Sequence, residues 1–182
     1  MTETKDEHLM TAYGEGDSSA FAILYEKHKG PLYRYFIRQL HCRARAEELY
    51  QETWVRVIDS RDEYQAKAKF TTWLYRIAHN LMVDEHRKMK SQSNWLKQAQ
   101  WDEEPSTTND NVDIGSAIKA CVTKLPHSQK EVFLLRHDAG FSREDICTII
   151  AAKPETMKTR LRYALDSLRQ CLSKKLGVSD GE

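Results

Sequence analysis

The sequence predicts an all-α chain of two small helical domains joined by a flexible linker. Three observations predict it. Apolar residues recur at three- and four-residue steps along most of the chain, while alternating β-branched runs are few. Residues 91–112 drop that pattern for Ser, Thr, Asn and Gln, and Pro105-Ser106-Thr107-Thr108-Asn109 is a loop by composition. The length, 182 residues, suits one large domain or two small ones. The expected limits are 1–90 for the first domain, 91–112 for an acidic linker, 113–176 for the second domain and 177–182 for a tail.

Residues 6–13 read as a short first helix ended by Gly14 and Gly16. Asp17 can cap the next helix, whose face is Phe21, Leu24, Tyr25 and His28. Gly30-Pro31 should break that helix, with Pro31 in the first turn of another that carries Leu32, Tyr35, Phe36 and Leu40. After His41-Cys42 a helix buries Ala46, Leu49, Tyr50, Thr53 and Val57 and turns Glu48, Gln51, Glu52 and Arg56 outward. A polar loop from Asp62 leads into a long helix ending near Lys90, and the linker has room for a short helix between Trp95 and Trp101.

In the second half Ile114, Ile118, Cys121, Val122 and Leu125 mark a helix stopped by Pro126. Ser128 to Glu131 reads as a capping box opening a helix with Val132, Phe133 and Leu135, which ends by Gly140. Ser142 caps a short helix with Ile146, Ile149 and Ile150 inside. The turn Ala151-Ala152-Lys153 then leads to Pro154 and a last helix with Leu161, Leu165, Leu168 and Leu172 on one face. Two short-linked helices with a basic outer face form a helix-turn-helix, whose second helix enters the major groove.

Lys and Arg number 28 against 27 Asp and Glu, so the total charge names no partner, but its distribution does. Trp101 to Gly115 holds five acids and no base, while Lys153 to Lys175 holds seven bases against Glu155 and Asp166. A basic tail on a neutral chain is locally attractive to DNA. The charged start MTETKDEHLM lacks the apolar core of a signal peptide and no run approaches a membrane span, which predicts a cytosolic protein. Cys42, Cys121, Cys147 and Cys171 stand singly, so reduced thiols in packing roles are expected, with no metal and no cofactor.

The most informative stretch is Asp62 to Lys90. Phe70, Leu74, Ile77, Ala78 and Leu81 share one helix face, and Thr72, Tyr75, Arg76, His79 and Arg87 fall mostly away from it. Cations there can hold phosphates, and a Tyr offers a ring to a free base. Taken alone, such a face is more often merely solvated. Its wording resembles region 2 of the extracytoplasmic-function (ECF) group of bacterial sigma factors, F-x-T-W-L-Y-R-I-A-x-N-x-x-x-D-x-x-R. Phe70, Thr72, Trp73, Leu74, Tyr75, Arg76, Ile77, Ala78, Asn80, Asp84 and Arg87 stand in the same register. Glu47, Glu48, Gln51 and Glu52 match the family's region 2.2, with Arg45 where an acid is usual. Thr156, Lys158, Arg160 and Leu161 match its region 4.2, with Glu155 for Gly and Lys153 at the cap.

The resemblance implies a region 2 helical bundle and a region 4 helix-turn-helix, and a DNA-binding subunit in place of an enzyme. It implies that Glu47, Glu48, Gln51 and Glu52 dock on the β′ clamp helices of core RNA polymerase, with region 4 on the β flap. The −10 element would be opened and held by Tyr64, Lys69, Phe70, Thr72, Tyr75, Arg76, His79, Asn80, Arg87 and Lys88, with Trp73 in the core. Arg136, Arg143, Thr156, Lys158, Thr159, Arg160 and Arg162 would read the −35 duplex. It also implies an anti-sigma factor, often membrane-anchored, and a free chain that is monomeric. A dimeric helix-turn-helix regulator would leave the Asp62–Lys90 match unexplained. An enzyme would need a nucleophile, base and orienter that occur nowhere at motif spacing.

Overall fold

Asp6 and Glu7 stand in the first turn of α1 (Asp6–Gly14), where unpaired peptide N–H groups favour acids. The computed structural model describes residues 5–40, 42–95 and 114–177. Gly14 touches backbone: a Cβ there would lie 2.8 Å from the Arg61 carbonyl oxygen, so no larger residue fits without a shift of the chain. Asp17 caps α2 as expected, its carboxylate accepting from the Ser19 N–H at 2.9 Å.

α2 runs from Ser18 to Gln39 straight through Pro31, so the expected break at Gly30-Pro31 is wrong. An internal proline costs about 3 kcal/mol. Yet Leu24 and His28 before it, and Leu32, Tyr35 and Phe36 after it, keep one inward register. Burying each large apolar side chain contributes about 1.5–3 kcal/mol, so three of them beyond Pro31 outweigh the break.

α3 (Arg43–Asp59) buries Ala46, Leu49, Thr53, Trp54 and Val57. A 3-10 turn at Arg61–Glu63 leads through the loop to α4 (Phe70–Trp95), which runs past the Lys90 limit into the stretch read as linker. Its first N–H group is capped from a distance, Phe70 N donating to Glu7 Oε1 at 2.7 Å. Leu24, Leu32, Phe36, Phe70, Leu74 and Met82 are fully buried where these four helices meet. Of the expected linker, residues 91–95 belong to α4; the rest of it, with the remainder of the helix expected between Trp95 and Trp101, and the tail beyond Gly177 lie outside the described residues.

The second domain is α5 (Ile114–Thr123), α6 (His127–His137), α7 (Arg143–Ile149) and α8 (Pro154–Leu176). Ile114 and Ile118 of the expected α5 stripe are 62% and 40% exposed, while Ala117, Cys121 and Val122 point inward. The α8 stripe is also displaced: Met157, Ala164 and Leu168 are buried, and Leu165 is 40% exposed.

Ser128 does not cap. Pro126 holds the cap position, so α6 begins at His127 and Glu131 lies too deep in the helix to reach back. The cysteine expectation is overturned as well. Cys121 of α5 and Cys171 of α8 form a disulfide across 50 residues, with Cα atoms 5.8 Å apart. Single spacings hid the pair because only tertiary packing brings the two helices together. Cys42 and Cys147 are free thiols.

The two domains pack against each other, α7 on α4 and α6 on α2. Val132, Leu135, Phe141, Ile146, Ile149 and Met157 join the first domain's apolar cluster, and Phe141 meets Tyr75 edge to face at 4.8 Å. Among the described residues no helix is long and apolar enough to cross a membrane.

Candidate nucleic-acid interface

The helix-turn-helix expected from the sequence is α7, its turn and α8. Ser142 caps α7, its Oγ accepting from the Asp145 N–H at 3.0 Å. Ala151 adopts φ 49° in the turn, and the Ala152 N–H donates to the Cys147 carbonyl at 3.1 Å. Buried Met157 fastens α8 to the domain core, while Lys153 precedes α8 without a side-chain cap, as its residue type predicts.

Lys158 and Arg162 are exposed on one face of α8, Thr156 is exposed in its first turn, Thr159 and Arg160 are half-buried, and Arg143 is exposed at the start of α7. The Arg162 guanidinium lies 5.2 Å over the Tyr163 ring. Arg136 is engaged elsewhere: it donates to the Phe141 carbonyl at 2.8 Å and ties down the loop between α6 and α7.

The residues expected to open DNA divide into three groups. Tyr64 and Phe70 belong to packing. Phe70 is fully buried, and Tyr64 stacks edge-on against Trp73 at 4.9 Å. Burial, then the charges of Glu7 and Asp6, push the Tyr64 hydroxyl up to about 12. Trp73 is half-buried against the same cluster, in keeping with its expected core role.

A second group lies under α6 and α7. Lys69 Nζ is 2.8 Å from Asp145 Oδ2, and buried Thr72 donates to Asp145 Oδ1 at 3.2 Å. Arg76 donates to the Thr148 carbonyl at 2.6 Å, and Tyr75 is buried beneath Phe141. His79 donates to Glu131 at 2.7 Å. The third group, Asn80, Arg87 and Lys88, is exposed further along α4, with Arg87 3.7 Å from Asp84.

On α3, Glu48, Gln51 and Glu52 are exposed and Glu47 is half-buried, all on the outer side. These acids already have cations of their own helix: Glu47 accepts from Arg43, Glu48 from Arg45, and Glu52 from Arg56 at 2.7 Å. Arg45 also donates to Glu85 of α4 at 2.6 Å, so the residue that departs from the family pattern ties two helices together.

Sequence reasoning missed the group at the joint between the domains. Glu131, 2% exposed, accepts from the Tyr35 hydroxyl of α2 and from His79 of α4, both at 2.7 Å. Burial alone would raise its carboxyl, but the two hydrogen bonds and the nearby imidazoles hold it below the ordinary carboxylate range. The hydroxyl of Tyr35 is pushed far up, first by burial and then by that carboxylate. His127 of α6 stacks on His86 of α4 with ring centres 3.5 Å apart, and burial drives His127 down to about 4. Arg38 pairs with Asp138 at the rim of the joint. No local signal marks Glu131, since a Ser at one end and a Glu at the other read as a cap.

Comparison with known proteins completes the assignment. Residues 24–92 match Sigma-70 region 2 and residues 116–168 match Sigma-70, region 4. The chain is 28% identical over 171 residues to the ECF RNA polymerase sigma factor SigW of Bacillus subtilis, covering 87% of this chain and 91% of that one. It is 29% identical over 171 residues to the ECF sigma factor SigK of Mycobacterium tuberculosis, covering 86% of this chain and 87% of the relative. The fold resembles the sigma factor RpoE in its complex with the anti-sigma factor NepR from Bartonella quintana, with TM-score 0.71 and 21% identity over 84% of this chain and 96% of that one. It also resembles CnrH in complex with the cytosolic domain of CnrY, with TM-score 0.70 and 20% identity over 93% of this chain and 97% of the other. With both sigma regions in order on a helical bundle and a helix-turn-helix, the chain belongs to the sigma-70 family and is an ECF sigma factor, a protein of promoter recognition and transcription initiation.

Proposed function

We propose that this sigma factor carries core RNA polymerase to its promoters with a fixed division of labour among α3, α4 and α8. The outward acids Glu47, Glu48, Gln51 and Glu52 dock on the β′ clamp helices, and the second domain docks on the β flap. Thr156, Lys158, Thr159, Arg160 and Arg162 of α8, with Arg143 and Arg136 beside them, read the −35 duplex. Lys69, Thr72, Tyr75, Arg76, His79, Asn80, Arg87 and Lys88 hold the opened −10 strand. In this reading Tyr64 and Phe70 shape the −10 pocket from beneath, because Phe70 is fully buried and the half-buried Tyr64 ring packs edge-on against Trp73. Extruding a base costs a few kcal/mol, and stacking returns about 1–3 kcal/mol per base, so a small pocket suffices.

The observation that carries the reading is the outer face of α8. Lys158 and Arg162 are exposed one helical turn apart, and Thr156 is exposed in the first turn, on a helix that buried Met157 and a disulfide fasten to its neighbours. The chain is cytoplasmic, performs no catalysis of its own, and is restrained by an anti-sigma factor, as the partners named for its two structural relatives suggest. Run-off transcription with core polymerase on genomic fragments tests the reading. Discrete transcripts that depend on the chain are expected, and none at any ratio of chain to core would refute it.

A further inference from the structure

We propose that Glu155 sets the sequence preference of α8 by accepting a hydrogen bond from a cytosine of the −35 duplex. This rests on the −35 role proposed above for that helix. Glu155 stands where the family pattern has Gly, so it adds a side chain at a position that usually carries none. Glu155, Lys158, Thr159 and Arg162 follow one another at steps of three and four, and therefore share one face of α8. Buried Met157, Ala164 and Leu168 lie on the opposite side, which turns Glu155 directly away from the core.

The first turn of the second helix is the part of a helix-turn-helix that reaches base edges, and Glu155 is exposed there. Among the described residues no ion pair or side-chain hydrogen bond engages its carboxylate. A carboxylate only accepts, and phosphates repel it, so its partner in DNA must be a donor. In the major groove the base-edge donors are cytosine N4 and adenine N6, whereas guanine and thymine offer acceptors. Adenine sets its N7 acceptor beside that donor, where it opposes the second carboxylate oxygen, and cytosine does not. Lys158 and Arg162, one and two turns further along the same face, supply the cations that offset the added charge. An acid in a first turn also suits the helix dipole, but that effect is the same on every DNA sequence.

The full-length chain assembled with core polymerase tests this on a pool of random-sequence duplexes, the bound fraction being sequenced. Wild type is compared with Glu155→Ala and Glu155→Gln, and Arg162→Ala serves as the reference for −35 reading. Alanine is a good helix former, so Glu155→Ala removes the carboxylate and leaves the helix. Glutamine pairs with adenine N6 and N7, so Glu155→Gln carries a predicted change of base and not merely a loss. Competition among single-base variants of the selected duplex measures each preference.

Wild type should select a cytosine at one position of its −35 motif, with a cost of about tenfold for any other base there. Glu155→Ala should bind all bases at that position within about twofold, and Glu155→Gln should prefer adenine, the other positions staying as they were. A motif unchanged in both variants, or a change in affinity spread evenly over every position, would overturn the proposal. In either case an altered motif in Arg162→Ala leaves the −35 reading standing. A wild-type pool without a −35 motif, or a motif that Arg162→Ala leaves untouched, would refute that reading and this inference with it.

Discussion

Arg45 on α3 reaches Glu85 on α4, Nη2 to Oε2 at 2.6 Å, and Glu85 is only 7% exposed. The hydrogen bond from Arg45 holds the Glu85 carboxyl below its ordinary value of 4.5, so the pair stabilises the first domain at neutral pH and fades as the pH falls through that lowered value. Arg45→Ala should cost about 1–3 kcal/mol, less than a fully buried pair because Arg45 is partly exposed. Arg45→Asp, the residue type usual in the family, should cost more by facing Glu85 with a like charge. Urea unfolding measures both, and adding Glu85→Gln should recover part of the loss.

The docking role proposed for the outer acids of α3 can be tested by charge reversal. Glu48→Lys with Glu52→Lys should weaken co-elution with core polymerase, most at low salt, where screening is least. Each reversal also sets a lysine beside Arg45 or Arg56, so a thermal melt must show the domain intact. Undiminished co-elution of a folded variant would sink the assignment.

Reading and opening should separate by domain. Arg162→Ala should weaken duplex promoter binding by about 1–3 kcal/mol if the guanidinium reads a base. Lys69→Ala should spare duplex binding and cut transcription, and a promoter with a mismatched, pre-opened −10 region should rescue it but not Arg162→Ala. Tyr64→Ala is the poorer probe, since it also strips packing from Trp73 and Phe70. Equal rescue of Lys69→Ala and Arg162→Ala would refute the division.

Acid should open the joint. His127 sits at about 4 when stacked on His86, whose imidazole is also lowered by burial, and both recover the ordinary 6.5 when the domains part. Groups lowered in the closed form leave closure strongest above 6.5 and weaken it as the pH falls from there towards about 4. Glu131 and Lys130 of α6, His79 and Glu85 of α4, and Tyr35 of α2 face or flank the pair. The buried Glu131 carboxylate adds to acid opening only below 4.5. Energy transfer between the domains should drop by about pH 5.5, equivalent to about 1 kcal/mol against closure, and His127→Gln should flatten the response.

The disulfide gives a thiol count. Under non-denaturing, non-reducing conditions Cys121 and Cys171 should be unreactive, and unfolding without reductant should expose only Cys42 and Cys147. Cys121→Ser should lower second-domain stability by about 2–4 kcal/mol, seen as an earlier thermal transition. Four free thiols in protein purified without reductant would contradict the pairing.

Much of this was legible from residue order. Asp17 and Ser142 cap where their types say they should, and the outer residues of α3 follow from helical period, whereas the α8 stripe read from the leucines is displaced towards Met157 and Ala164. What stayed hidden was set by partners far along the chain. Pro31 reads as a stop because the pull of Leu32, Tyr35 and Phe36 on the core cannot be weighed locally. Glu131 reads as half of a cap because its acceptors' partners lie 96 and 52 residues away. Cys121 and Cys171 read as two isolated thiols until α5 and α8 are side by side. Arg38 and Asp138, on different domains, gave no sign that they would meet.

The carboxylate of Glu131 belongs to one domain and its two donors, Tyr35 and His79, to the other. The two halves are therefore not interchangeable parts. A chimaera joining this second domain to a first domain without the phenol and the imidazole would leave the buried Glu131 carboxylate without its two hydrogen-bond donors, with only His127 of its own helix nearby at 3.9 Å. Each half would keep its own helices, but the joint between them would be weakened. A change at any one of the three positions leaves a polar group of the others unpaired in the joint, so the trio works only as a set that crosses the domain boundary.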